Sequence, residues 1–178
     1  MVVLTGRSGS GKSTLEKMAV KAGFKKVVSV TTRPPREGEV DGVDYHFINC
    51  KTFLELNIAN KLAGYVEYNG NFYGVLVEDC VNDVIAVVES HGLKQLLARE
   101  DLDIKVIYLK STDEERAMFM LKRGDTFDSM SERILKDRNH FKGVETLATH
   151  VVESRTPDDL VYALGIIKTI MEENENAN

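Results

Sequence analysis

The chain opens on a short apolar run, Val2 to Thr5, that stops at a glycine, which is the pattern of a buried strand. Lys12 to Ala22 carries apolar residues at helical spacing, and Gly23 stands just past its end as a cap. The same rules predict strands over 25–30, 45–49, 83–88, 104–110 and 150–153, and helices over 52–62, 92–100, 113–124 and 131–141. Residues 64–77 alternate on both sides of Asn69-Gly70, the signal of a β-hairpin. Residues 31–42, with two prolines and two glycines, read as loop. Pro157 stands at the first-turn position of a last helix running to 171, where its missing N–H costs nothing. The polar end that follows is expected to be disordered over 174–178.

Strands and helices alternate along most of the chain, which predicts a parallel sheet covered on both faces: an α/β fold with about five core strands flanked by helices. The alternation breaks at 31–80 and again near 122–138. The expected organisation is one domain, with a core of 1–31, 81–121 and 139–173, an inserted lobe over 32–80, and a mobile lid over 122–138.

Charge narrows the partners. Net charge is −5 and the pI about 5.4, which argues against a general nucleic-acid binder. No apolar run approaches the ~18 residues of a membrane helix. The start has no charged leader region and runs straight into a motif, so no signal peptide is expected there. Cys50 and Cys80 lack metal spacing and read as free thiols in a reducing cytoplasm. The four histidines, His46, His91, His140 and His150, are scattered.

The chemistry begins at Gly6–Thr14, GRSGSGKST. Gly6, Gly11, Lys12 and Ser13 match G-x-x-x-x-G-K-[ST], between a predicted strand and a predicted helix. Glycines let backbone N–H groups converge on phosphate oxygens, and the helix turns its positive end to the same point. Gly6, Ser8, Gly9, Ser10, Gly11, Lys12, Ser13 and Thr14 are therefore assigned to nucleotide, with ATP and Mg²⁺ as cofactors. Lys12 would place a charge at the β/γ-phosphates, and the Ser13 hydroxyl would ligate the metal. The second constellation is Ser29 to Tyr45, SVTTRPPREGEVDGVDY. Arg33 and Arg36, on a proline-stiffened loop, suit a phosphate dianion. They equally suit a solvated patch paired with Glu37, Glu39 and Asp41, and the residues alone leave both readings open.

The same stretch resembles the acceptor-binding segment of the guanylate kinase family, S-x-x-x-R-x-x-R-x-G-E-x-x-G-x-D-Y, at Ser29, Arg33, Arg36, Gly38, Glu39, Gly42, Asp44 and Tyr45. Residues 68–74, YNGNFYG, are similar to the family's G-N-x-Y-G hairpin through Gly70, Asn71, Tyr73 and Gly74. The resemblance is strong to residue 75 and weaker after it. It implies a P-loop core with an acceptor lobe and a lid. It also implies that Ser29, Arg33, Arg36, Tyr45 and Tyr73 hold the phosphate of a nucleoside monophosphate. Arg123 and Arg133, in the predicted lid, match family arginines that reach ATP phosphates; Arg138 has no match. Lys12, Arg36, Arg123 and Arg133 are then the catalytic set, because phosphoryl transfer runs on positioning and on neutralising spread negative charge.

The resemblance fails at the base-reading positions. The family's acid before the hairpin falls on Gly64, its Ser or Thr after Y-G on Val75, and its two strand-end aspartates on Val87 and Glu89. Glu89 keeps a carboxylate for the guanine amino group or a metal-bound water, and Glu67 is a candidate replacement for the missing acid. The expected activity is ATP-dependent phosphorylation of a nucleoside monophosphate, GMP or dGMP first, by a cytoplasmic monomer or homodimer that binds neither nucleic acid nor membrane. A kinase for another base or another small phosphorylated acceptor, and a protein-binding module of this family, remain as alternatives.

Overall fold

In the computed structural model, residues 1–68 and 70–176 are described. β1 (Val2–Thr5), β2 (Lys25–Lys26), β7 (Val84–Val87), β8 (Lys105–Lys110) and β9 (His150–Glu153) form a five-stranded sheet in the order β2-β7-β1-β8-β9, with every pairing parallel. β1 is central and wholly buried, as its unbroken apolar run requires. Alternate residues face opposite sides. Val2 and Leu4 pack with Leu15 and Ala19 of α1 (Lys12–Lys21) and with Ala163 and Ile167 of α6 (Pro157–Asn176). Val3 faces the other side, with Leu93 and Leu96 of α3 (Ser90–Leu97) and with Phe141.

A second sheet, β4-β3-β6-β5, is built from β3 (Val30–Thr31), β4 (His46–Phe47), β5 (Leu62–Tyr68) and β6 (Asn71–Leu76). Phe53, 1% exposed on α2 (Cys50–Ile58), anchors it by stacking on Phe72 at 5.1 Å and meeting Tyr65 edge-on at 5.9 Å. Ala63 and Val75 of this sheet join the core beneath α3. Gln95 of α3 grips the same seam: Tyr65 N–H donates to its Oε1 at 2.8 Å, and its Nε2 donates to Tyr65 O at 3.1 Å.

Several boundaries differ from the sequence expectation for local reasons. The run 25–30 is not one strand: Lys25–Lys26 pair with β7, and the chain then crosses to pair Val30–Thr31 with β6. The helix expected over 52–62 begins at Cys50, after Asn49 caps it through Thr52 N–H, and ends before Asn60, whose φ of 53° is left-handed. α4 (Asp113–Lys122) carries a capping box from Thr112 and Glu115. α5 (Phe127–His140) starts a turn early, at the Thr126 cap. The hairpin pairs Tyr68 with Asn71, while Asn69 of its predicted turn lies outside the described residues. Residues 174–176, expected to be disordered, continue α6, because Ile170 and Met171 anchor the preceding turn in the core. Residues 177 and 178 lie outside the described residues.

Gly64 sets β5 hard against α3: a Cβ there would lie 2.8 Å from the Gly92 carbonyl oxygen. Gly64→Ala is therefore expected to cost about 1–3 kcal/mol by forcing the seam apart, read from urea denaturation. A midpoint equal to that of the parent would show that the seam yields freely.

Candidate active site

The chain between β1 and α1 turns through Gly6, Gly9 and Gly11, at φ of 144°, 80° and 88°. Gly6 admits no side chain, since a Cβ would lie 2.5 Å from Leu109 O on the neighbouring strand. The N–H groups of Lys12 and Ser13, in the first turn of α1, have no intrahelical acceptor. Lys12 Nζ donates to the Gly6 and Arg7 carbonyls at 2.6 and 3.0 Å. Burial pushes its ammonium well below the ordinary lysine value, against the pull of the Glu89 and Asp137 carboxylates. Ser13 and Thr14 are exposed. Ser10 is buried, with its hydroxyl turned inward, so it offers backbone only. Ser8 differs from the expectation: its N–H donates to Asp137 Oδ2 at 2.7 Å and is committed to the protein.

Beside the loop opens a cleft of about 780 Å³. Ser29, Arg36, Tyr45, Glu67, Tyr73, Glu89 and Arg133 all line it, with Ser8 at its border. β5, β6 and α5, with the loops that carry Ser29, Arg36 with Tyr45, and Glu89, thus bring seven of the sequence-predicted residues to one cleft. Tyr45 and Tyr73 meet edge-on at 6.0 Å. Burial raises the Tyr45 phenol above its ordinary pKa, so it remains a hydroxyl donor at neutral pH.

The arginines sort by partner. Arg36 reaches the cleft, and among the described residues its guanidinium makes no ion pair. Arg33 stands behind the cleft-lining Tyr45: Nη2 donates to Glu39 Oε1 at 2.9 Å, Nη1 to Pro34 O at 2.8 Å, and its carbon lies 5.5 Å from the Tyr45 ring centre. Glu39 Oε2 accepts from Arg36 N–H at 2.7 Å. The Glu39 carboxylate therefore ties Arg33 to Arg36, while Asp44 and Asp41 hold the rest of the loop through Val40 N–H at 2.8 Å and Phe47 N–H at 2.9 Å. Arg133 lines the cleft and approaches Asp125 at 3.8 Å. Arg123 is half-exposed and bound to Asp125, outside the cleft wall. Arg138 pairs with Asp113 at 3.0 Å.

The guanylate kinase family model matches residues 1–174. The chain belongs to the guanylate kinase family. Guanylate kinase of Lactobacillus johnsonii is 41% identical over 183 residues, covering 97% of this chain and 87% of that protein. The one from Bartonella henselae is 32% identical over 179 residues, covering 96% and 79%. Among solved structures, guanylate kinase from Anaplasma phagocytophilum matches with a TM-score of 0.72 over 98% of this chain and 85% of that one, at 23% identity, which bears on the fold.

Within this guanylate kinase fold, the positions where base-reading residues were expected have definite surroundings. Gly64 has no room for an acid under the Gly92 carbonyl. Val75 is 4% exposed and belongs to the core beneath α3, yet still borders the cleft. Val87 and Glu89 both reach the cleft from the end of β7, and Glu89 is exposed. Glu67 lies on β5 across the ladder from Phe72 and lines the cleft as well. Sequence reasoning missed Gln95, Arg116 and Asp137, and it treated Glu39 only as a motif position and a possible ion-pair partner. Arg116 and Asp137 lie 21 residues apart on different helices, so no local pattern pairs them.

The Glu39 carboxyl is held below the ordinary glutamate value by the Arg33 hydrogen bond and then by the Arg36 N–H. A depressed folded pKa gives stability that is present above the unfolded value near ~4.3 and is lost as pH falls through the lower folded one. The loop should thus keep its shape at neutral pH and loosen only in acid. Glu39→Gln is expected to raise the acceptor KM about tenfold, the scale of one charge-assisted hydrogen bond, with the ATP KM unchanged. Equal changes in both constants in steady-state assays would refute this local role.

Proposed function

We propose that the protein transfers the γ-phosphoryl group of ATP to GMP or dGMP, giving the diphosphate and ADP. One observation carries the reading: the acceptor wall of Arg36, Tyr45 and Tyr73 and the lid-side Arg133 open into a single cleft that the phosphate loop borders at Ser8. A donor on the loop and an acceptor on the wall would meet there. The acceptor phosphate is already anionic, so no side-chain base is required. The chain has to bind, align and neutralise. Arg36 and the two tyrosines would grip the acceptor phosphate, while Lys12 and Arg133 would face the transferring group. Residues 32–80 act as the acceptor lobe and 122–138 as a lid that excludes water. A cytoplasmic setting fits two free cysteines and the lack, among the described residues, of any helix long and apolar enough to cross a membrane.

The donor set fits Mg²⁺. This ion keeps several waters and is usually held by phosphates plus one or two protein oxygens. The exposed Ser13 hydroxyl at the start of α1 and the exposed Glu89 carboxylate offer that much. Among the described residues no cluster of three or more His, Cys, Asp or Glu forms a self-sufficient metal cage. When bound, the ion neutralises charge on the β- and γ-phosphates.

Base selectivity should be shallow. An apolar wall such as Val75 discriminates by only ~10–200-fold, against 10⁴–10⁵-fold for buried polar readout. With ATP-Mg²⁺ and a panel of nucleoside monophosphates, GMP and dGMP should turn over fastest, with preference over AMP of about 10²-fold. Lys12→Ala should lower kcat by about 10²-fold or more, and Arg36→Ala should act chiefly on the acceptor KM. ADP release measures all of these. ATP binding without turnover of any monophosphate would overturn the reading.

A further inference from the structure

We propose that Asp137, together with Arg116, is a positioning residue for phosphoryl transfer: the pair holds the Ser8 peptide groups of the phosphate loop in register with Arg133 on the lid helix.

Arg116 is fully buried on α4, and Asp137 is 6% exposed on α5. Arg116 Nη2 donates to Asp137 Oδ2, Nη1 to Asp113 Oδ1 at 2.6 Å, and Nε to Ser8 O at 2.7 Å. Asp137 Oδ2 accepts the Ser8 N–H at 2.7 Å. Both polar groups of one loop residue are therefore bound by side chains from two helices. α4 also presses on the next residue, since a Cβ on Gly9 would lie 2.9 Å from Arg116 O.

Stability is a weak reason for such a pair. Burying two charges costs about as much as their attraction returns, and apolar residues of similar volume often serve as well or better. What an apolar pair cannot do is bind an N–H and a C=O. Asp137 lies one helical turn beyond Arg133, and both border the cleft with Ser8. The junction of loop, lid helix and acceptor wall passes through this carboxylate. Asp113 extends it outward to Arg7 at 3.7 Å and to Arg138 at 3.0 Å. Phosphoryl transfer is sensitive to misplacement of about 1 Å, which can cost on the order of 10²-fold.

The turnover arm of the test rests on the proposed kinase activity; two other arms do not. In the double variant Arg116→Met/Asp137→Leu, the Tm should stay within about 4 °C of the parent. Its ATP affinity by calorimetric titration and its kcat/KM should fall, the latter on the order of 10²-fold. Exchange of the Ser8 amide, slow in the parent, should become fast. A double variant with kcat/KM and ATP affinity within about twofold of the parent would overturn the proposal and leave the pair as packing. Should the double variant not fold, Asp137→Asn keeps the shape and removes the charge. It should lower kcat several-fold with the acceptor KM nearly constant, and an unchanged kcat would equally overturn the proposal. A parent without turnover would sink the kinase reading, and ATP affinity with Ser8 exchange would then decide.

Discussion

The peptide groups between Thr5 and Lys12 must converge on one point while their side chains stay out of the way, and much of the molecule serves that requirement. A turn this tight cannot stabilise itself, because it buries few apolar atoms and uses three left-handed or extended glycine conformations. It is held from outside. β1 enters it as the fully buried centre of the core sheet, and α1 leaves it packed through Leu15 and Ala19. Ser154 Oγ donates to Ser10 O at 2.9 Å from beyond β9. Lys12 closes over the Gly6 and Arg7 carbonyls. Arg116 and Asp137 bind Ser8 from the side.

The acceptor cleft depends on a different junction, the seam of α3 with β5. There Gly64 meets the Gly92 carbonyl, and Gln95 pairs with both polar groups of Tyr65. This contact is backbone-close, so it fixes the second sheet against the core with little room for adjustment. A side chain at position 64 and a seam this tight exclude one another. The cleft does hold two other carboxylates, Glu67 on β5 and Glu89 beside α3.

Arginine is the common currency of this site, and the fold divides it by partner. Arg33 belongs to Glu39, Arg138 to Asp113 and Arg123 to Asp125, while Arg36 and Arg133 face the cleft. Pairs with an exposed partner, such as Arg138–Asp113 and Arg123–Asp125, contribute little stability, about 0–1 kcal/mol, so their effect is on shape. Asp125 is an example. The Arg123 hydrogen bond first, and then the charges of Arg133 and Arg36, hold its carboxyl below the ordinary aspartate value.

Much of this was legible in the residue order. The alternation of apolar runs with helical spacing specified a parallel α/β core, because each strand and helix announces its own period. The glycine-lysine-serine motif specified the phosphate loop, because its chemistry lies in consecutive backbone groups. Ser29, Arg36, Tyr45 and Tyr73 were legible because a short loop and a hairpin carry them. The residues that join distant segments were not. The division of 25–30 between two sheets, the turn of Arg33 toward Glu39, the Gln95 clasp and the Arg116–Asp137 grip on Ser8 are set by which elements come to lie side by side. Local pattern records what a segment prefers by itself. A buried hydrogen bond between α4, α5 and a loop more than a hundred residues earlier exists only once packing has removed water from all three.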